Sequence, residues 1–141
     1  MDSILSIALS GMDAARQHLD AAASNIANMQ TMGALPDAAS GNAPQPYTPI
    51  MVSQHSLAGG GVATSLAPVT PPTVPAYAPS LPFADRTGLV AAPNVDLATQ
   101  GVDQLMAAQA YAASASLVGV SGNLEQQLLN SFDPGKRAIS A

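Results

Sequence analysis

The stretch that decides the fold is Ser3 to Met29, SILSIALSGMDAARQHLDAAASNIANM. It contains no proline, and Leu5, Ala8, Met12, Ala15, Leu19, Ala22, Ile26 and Met29 recur at alternating steps of three and four. That spacing is a heptad seam, the pattern by which one helix lays an apolar stripe against another. Asp13, Arg16, Gln17, Asp20 and Asn28 fall on the opposite face, so the predicted helix is amphipathic and about 40 Å long at 1.5 Å per residue. Asp2 and Ser3 can cap its start, where a carboxylate also suits the helix dipole. Gly33 and the Pro36-Asp37 pair end it.

A second proline-free stretch runs from Asn94 to Asn130, ahead of Asp133-Pro134-Gly135, and predicts a helix of about 55 Å capped by Asn94 or Asp96. Its stripe begins on Val95, Ala98, Val102 and Leu105, then shifts by about one residue to Met106, Ala110, Ala113, Leu117, Val120, Leu124 and Leu128. Gly101, Gly119 and Gly122 each cost this helix about 1 kcal/mol relative to Ala, while letting another helix approach closely.

Between these helices the chain changes character. Residues 34–93 hold all but one of the 12 prolines. Tyr47 to Leu57, Gly59-Gly60-Gly61 and Val62 to Val69 read as a β-hairpin over 47–69, with Pro49 confining its first strand to an edge or a bulge. Pro68, Pro71, Pro72, Pro75, Pro79 and Pro82 then favour an extended, polyproline-like connector. The expected organisation is an assembly helix over 1–33, an extended Pro/Gly-rich middle over 34–93, a second assembly helix over 94–132 and a flexible tail over 133–141. The fold class is mainly α, with long terminal helices pairing as an antiparallel coiled coil and a minor β component.

Composition narrows the function. Hydrophobic residues make up 48% of the 141, but alanine is the commonest of them, with two Phe, three Tyr and no Trp. Such a chain builds a thin core. Charged residues are only 9%, so much of the surface is expected to be covered by partners. A formal charge of −5 with four Lys+Arg excludes a phosphate-neutralising nucleic-acid binder and disfavours anionic membranes. No cysteine is present, which removes disulfides, thiolate catalysis and Cys-ligated metals. The N-terminus lacks a cationic signal region, and Leu105 to Val120 is too rich in Ala and Ser for a membrane span.

No catalytic pattern emerges. His18 and His55 have no second ligand at metal-binding spacing, and Gly59-Gly60-Gly61 lacks the Lys-Ser/Thr of a phosphate loop. Asp13 and Asp20 share a helix face with nothing nearby to bury them, and the serines of Ala113 to Ser116 have no local base. Neither an enzyme nor any cofactor or metal is expected.

The two ends do resemble a known family. Ala8-Leu9-Ser10-Gly11-Met12 followed by Ala23-Ser24-Asn25-Ile26-Ala27-Asn28 resembles the opening helix of flagellar rod and hook proteins. Tyr77-Ala78-Pro79, Pro82, Ala84-Asp85, Gly88, Val90 and Pro93-Asn94-Val95-Asp96 is similar to the segment before the last helix in proximal-rod members of the flagellar basal-body rod family. Two departures stand out: Gln100 replaces the family's usual acidic residue, and Gln109 to Ser114 keeps only Ala110, Tyr111 and Ala113 of an Arg-Ala-Tyr-Gln-Ala-Asn-like run.

The resemblance implies a structural subunit of a torque-transmitting rod, exported by the flagellar type III route without signal cleavage and placed in the periplasm-spanning part of the basal body. Its implied partners are copies of itself, other rod subunits, rod-adaptor and membrane-ring components and the export apparatus. Leu5, Met12, Leu19 and Ile26 on the first helix and Val102, Leu117, Val120 and Leu124 on the last are the expected packing residues. Asn25, Asn28, Asn94 and Asp96 are expected to make helix-end caps or intersubunit hydrogen bonds. Two other readings fit the residues less well: another axial protein of the same superfamily, or a largely disordered Pro-rich module that folds on binding.

Overall fold

A computed structural model describes residues 2–36 and 43–132. Of the two expected caps, the Asp2 side chain falls outside what is described and Ser3 lies inside α1; Asp37 of the expected stop and the tail from 133 onward are also outside it. The elements run α1 (Asp2–Asn28), β1 (Ile50–Ser56), β2 (Val62–Pro68), β3 (Thr73–Tyr77), β4 (Leu89–Pro93) and α2 (Leu97–Phe132).

The two helices lie side by side and antiparallel. Asn25 bonds to Gln100 at one end, and a Cβ placed on Gly11 would sit 2.8 Å from the Ser114 hydroxyl further along. On that register the start of α1 meets α2 near residue 123, so the last nine or so residues of α2 project beyond α1 by about 13 Å.

The contact between the helices is made by small side chains. Ala8, Ala14, Ala15, Ala21 and Ala22 of α1 and Ala107 of α2 are buried, whereas Met12, Leu19 and Ile26 are half-buried and Leu5 is exposed. The expected seam is therefore rotated: Ala8, Ala15 and Ala22 belong to it, but their buried neighbours lie toward Gly11, His18 and Asn25. Alanines bring the backbones close but bury little area, at about 0.8 kcal/mol per methylene equivalent.

The hairpin of β1 and β2 is antiparallel, pairing Ile50 with Pro68 and Ser56 with Val62. It rests on the side of α1 away from solvent. Its turn needs glycine at Gly60 and Gly61, whose φ angles are +86° and +88°, and a Cβ on either would run into Ile7 or Ser10 of α1. The Ser10 hydroxyl accepts a hydrogen bond from the Val62 N–H at 3.2 Å, fixing the tip of the hairpin to the helix.

A second antiparallel hairpin, β3 with β4, occupies part of the stretch read as a polyproline connector. The prolines permit it because of where they stand. Asn94 N–H bonds to Pro72 O and Ala78 N–H to Gly88 O, so the ladder bonds of this hairpin fall on the even residues of β3. Pro75 and Pro93 occupy the alternate positions, whose nitrogens face away from the partner strand, and their missing N–H groups cost no ladder bond. Pro68 in the first hairpin is placed the same way, opposite Ile50.

The outward-facing groups of Ala91, opposite Pro75, find a third strand. Gly33 N–H bonds to Ala91 O, and Ala91 N–H to Gly33 O, each at 2.9 Å. Gly33 is thus more than a helix stop, since a Cβ there would meet the backbone of Pro44 and Pro46 at 2.5 Å or less. Around this bridge Val90, Ala91, Ala92, Ala34 and Pro49 form the rest of the core among the described residues.

Candidate assembly surface

The C-terminal end of α1, the start of β1 and the start of α2 meet at one side chain. Asn25 is 3% exposed, and its amide is fully used. Nδ2 donates to Ile50 O and to Gln100 Oε1, both at 2.8 Å. Oδ1 accepts from Ile50 N–H at 3.0 Å and from the Tyr47 hydroxyl at 3.1 Å, and Ser24 Oγ lies 2.9 Å from that hydroxyl. The amide therefore pairs with Ile50 as a neighbouring strand would, and it ties the hairpin to both helices at once.

The other polar residues singled out in the sequence serve local turns within the chain. Asn28 donates to Ser24 O at 3.0 Å at the end of α1. Asn94 donates from its backbone to Pro72 O and from its side chain to Pro71 O, closing the second hairpin rather than capping α2. The cap is Asp96, whose carboxylate accepts from the Thr99 N–H at 2.9 Å and from the Thr99 hydroxyl. Asp85 does similar work in the turn between β3 and β4, accepting from Thr87 and from the Leu89 N–H. Gly88 beside it has φ +80° and is packed against Tyr77 and Pro79, so the Tyr77-to-Gly88 motif builds one self-closed loop.

These carboxylates are held below their usual range: Asp85 chiefly by the Leu89 N–H, Asp96 by the Thr99 hydroxyl, and Asp13 by Arg16. A carboxylate with a lowered folded pKa adds stability above its unfolded value and loses it as pH falls through the folded one. We predict that helicity followed by circular dichroism is flat from neutral pH to about 5 and declines below about 4. Asp85→Asn is expected to flatten that decline, and an acid limb unchanged by this substitution would refute the assignment.

The large apolar residues of α2 are turned outward. Val102, Leu105, Met106, Leu117, Val120, Leu124 and Leu128 are all exposed, while Gln100, Ala107, Ser114, Val118 and Ser121 line the side toward α1. At 100° per residue the two stripes lie roughly 120° apart around the helix. The end of the helical pair formed by the start of α1 and the end of α2 is apolar as well, with Ile4, Leu5, Leu9, Leu129 and Phe132 exposed. Phe132, at 81%, sits on the projecting end of α2. An apolar surface this continuous is rare on a free-standing soluble domain.

Sequence reasoning placed these residues on one stripe but not the direction in which the stripe faces. It also missed Tyr47 and the pairing of Gln100 with Asn25. The only signal was Gln100 itself, an amide where the family pattern has an acid.

Among the described residues no three His, Asp or Glu side chains converge, and no helix is long and apolar enough to cross a membrane. Arg16 lies between Asp13 and Asp20 at 3.1 and 3.2 Å, an exposed ion-pair triplet of the kind worth little to stability. His55 is exposed on β1.

Residues 5–34 match the family described as "Flagella basal body rod protein". The chain is 32% identical over 140 residues to the flagellar basal-body rod protein FlgC of Escherichia coli O6:H1, covering 95% of this chain and 97% of that one. It is 30% identical over 134 residues to FlgC of Salmonella typhimurium, with the same coverage, and 28% identical over 122 residues to FlgC of Yersinia enterocolitica, covering 86% and 90%. With a match that runs nearly end to end in both chains, this protein belongs to the flagellar basal-body rod family as a FlgC-type structural rod subunit.

Proposed function

We propose that this chain is a proximal-rod subunit whose outward stripe on α2, together with the apolar end of the helical pair, packs against copies of itself and other rod subunits. In the assembled rod α1 and α2 form an antiparallel coiled coil, and repetition of their contacts gives a stiff tube that transmits torque. The observation that carries this reading is the unpartnered line Val102, Leu117, Val120 and Leu124. Burying each leucine of the stripe in a neighbour would contribute about 1.5–3 kcal/mol. We assign Leu5, Met12, Leu19 and Ile26 of α1 to packing against neighbouring subunits as well.

On this reading the subunit leaves the cell by the flagellar type III route without signal cleavage and lies in the periplasm-spanning rod. Rod-adaptor and membrane-ring components are its further neighbours. The test is an in-frame deletion examined by electron microscopy of purified basal bodies. We expect basal bodies that lack a complete rod, with motility restored by the plasmid-borne gene, and rods of normal length in the deletion strain would overturn the proposal.

A further inference from the structure

Between β1 and the two helices lies an open groove of about 390 Å³, lined by Ala15 and His18 of α1, Gln54 of β1, and Asp103, Met106, Ala107 and Ala110 of α2. Its floor is apolar and its β1 wall is a strand edge. Leu57 N–H bonds to Gly61 O and Val69 N–H to Pro49 O, so the ladder bonds between β1 and β2 fall on the odd residues of β1. The N–H and C=O groups of Ile50, Val52, Gln54 and Ser56 therefore point away from β2. Asn25 satisfies Ile50. Among the described residues, nothing satisfies the other three. A groove with free strand hydrogen bonds on one side and small apolar side chains on the other fits an extended peptide.

We propose that the groove receives the C-terminal tail of a second copy, added as a strand along β1. The proposal rests on the self-assembly reading above. Charge complementarity favours this occupant. Lys136 and Arg137 are two of the four Lys and Arg residues in the chain; Arg16 is already engaged by Asp13 and Asp20, and Arg86 sits in the turn between β3 and β4. Asp103 forms one end of the groove with a single long contact of 3.5 Å, to Gln100.

In an extended strand Arg137 and Ile139 point to the same side, about 7 Å apart. Asp103 and the Ala107-to-Ala110 floor are separated along α2 by about 6–10 Å. Arg137 thus meets Asp103 when Ile139 covers the alanines.

A tail from the same copy cannot do this. Ala107 lies about 37 Å back along α2 from Phe132. A fully extended chain carries Ile139 at most about 25 Å from Phe132. The contact is therefore head to tail between copies, the kind that propagates a filament or closes a ring.

The chain has no cysteine, which makes the test direct. Ala110→Cys and Ile139→Cys are made in separate preparations, mixed and oxidised, so that a 110–139 disulfide can form only between copies. We expect this dimer to exceed that of the control pair, Ala23→Cys with Ile139→Cys, by about tenfold, because docking raises the local thiol concentration. Arg137→Glu should reduce it to the control yield, and Asp103→Arg combined with Arg137→Glu should restore it. Equal yields at positions 110 and 23, or no rescue by the charge exchange, would overturn the proposal. Sedimentation velocity on the same mixtures separates the two failures. Association without the 110–139 preference sinks tail docking alone, whereas no association counts against self-assembly as well.

Discussion

Asn25→Ala is expected to destabilise the protein by about 3–4 kcal/mol, although it removes no more than a carboxamide from the surface of one helix. The four hydrogen bonds made by that amide are part-buried, and of its partners the Tyr47 hydroxyl keeps a neighbour in Ser24 Oγ. Ile50 loses both its strand-edge bonds, the Tyr47 hydroxyl is left with Ser24 alone, and Gln100 loses its bond to α1. Leaving a buried polar group unpaired costs about 1–3 kcal/mol, partly relieved here by water entering the space that the side chain vacates. Against a total stability of about 5–15 kcal/mol this is a large fraction. Asn28→Ala, which removes a half-buried bond to Ser24 within the same helix end, is expected to cost less than about 1 kcal/mol. Urea denaturation followed at 222 nm measures both. Equal midpoints for the two variants would show that Asn25 does not hold the junction. Exchange rates of the Ile50 and Gln100 amides supply a second readout, because a local opening should accelerate the former before the fold is lost.

The two asparagines of the Ser-Asn-Ile-Ala-Asn run are equivalent in the sequence but not in the structure, and this marks where sequence reading reached its limit. Both helices were legible, because proline exclusion and a period near 3.6 are properties of the chain alone. The first hairpin was legible from its glycine turn. The second was not, since proline density normally argues against strands. What decides the matter is whether each proline nitrogen faces the partner strand or away from it, and register is a property of the pair. The orientation of the α2 stripe was hidden for a related reason. A heptad of large apolar residues predicts that the helix has a partner, but not that the partner is the other helix of the same chain. Here that place is taken by Ala8, Ala15, Ala22 and Ala107, whose small size lets the backbones approach. Midway along, Gly11 faces Ser114 with no room for a Cβ unless the serine moves.

That division predicts opposite outcomes for charges placed on the two faces of α2. Leu117→Glu and Leu124→Glu lie on the outward stripe, where the side chains are 42% and 49% exposed. In the isolated protein each should change stability by no more than about 0.5 kcal/mol, as surface substitutions generally do. In the rod the same carboxylate would be buried against an apolar neighbour, at a penalty of several kcal/mol for every subunit. Swimming in soft agar should therefore fall to the level of a deletion strain, with a folded subunit still present in the cell. Val118→Glu, one residue away on the half-buried side toward α1, should do the reverse in vitro. It forces a carboxylate between the helices and lowers the unfolding midpoint of the isolated protein by an amount equivalent to about 2–3 kcal/mol. Gln126→Glu adds the same charge at an exposed site off the stripe and is expected to leave both stability and swimming intact. If Leu117→Glu and Leu124→Glu swim normally, the outward stripe is not an assembly surface. If they unfold the isolated protein as Val118→Glu does, the stripe packs within the subunit and the two-faced reading of α2 is wrong.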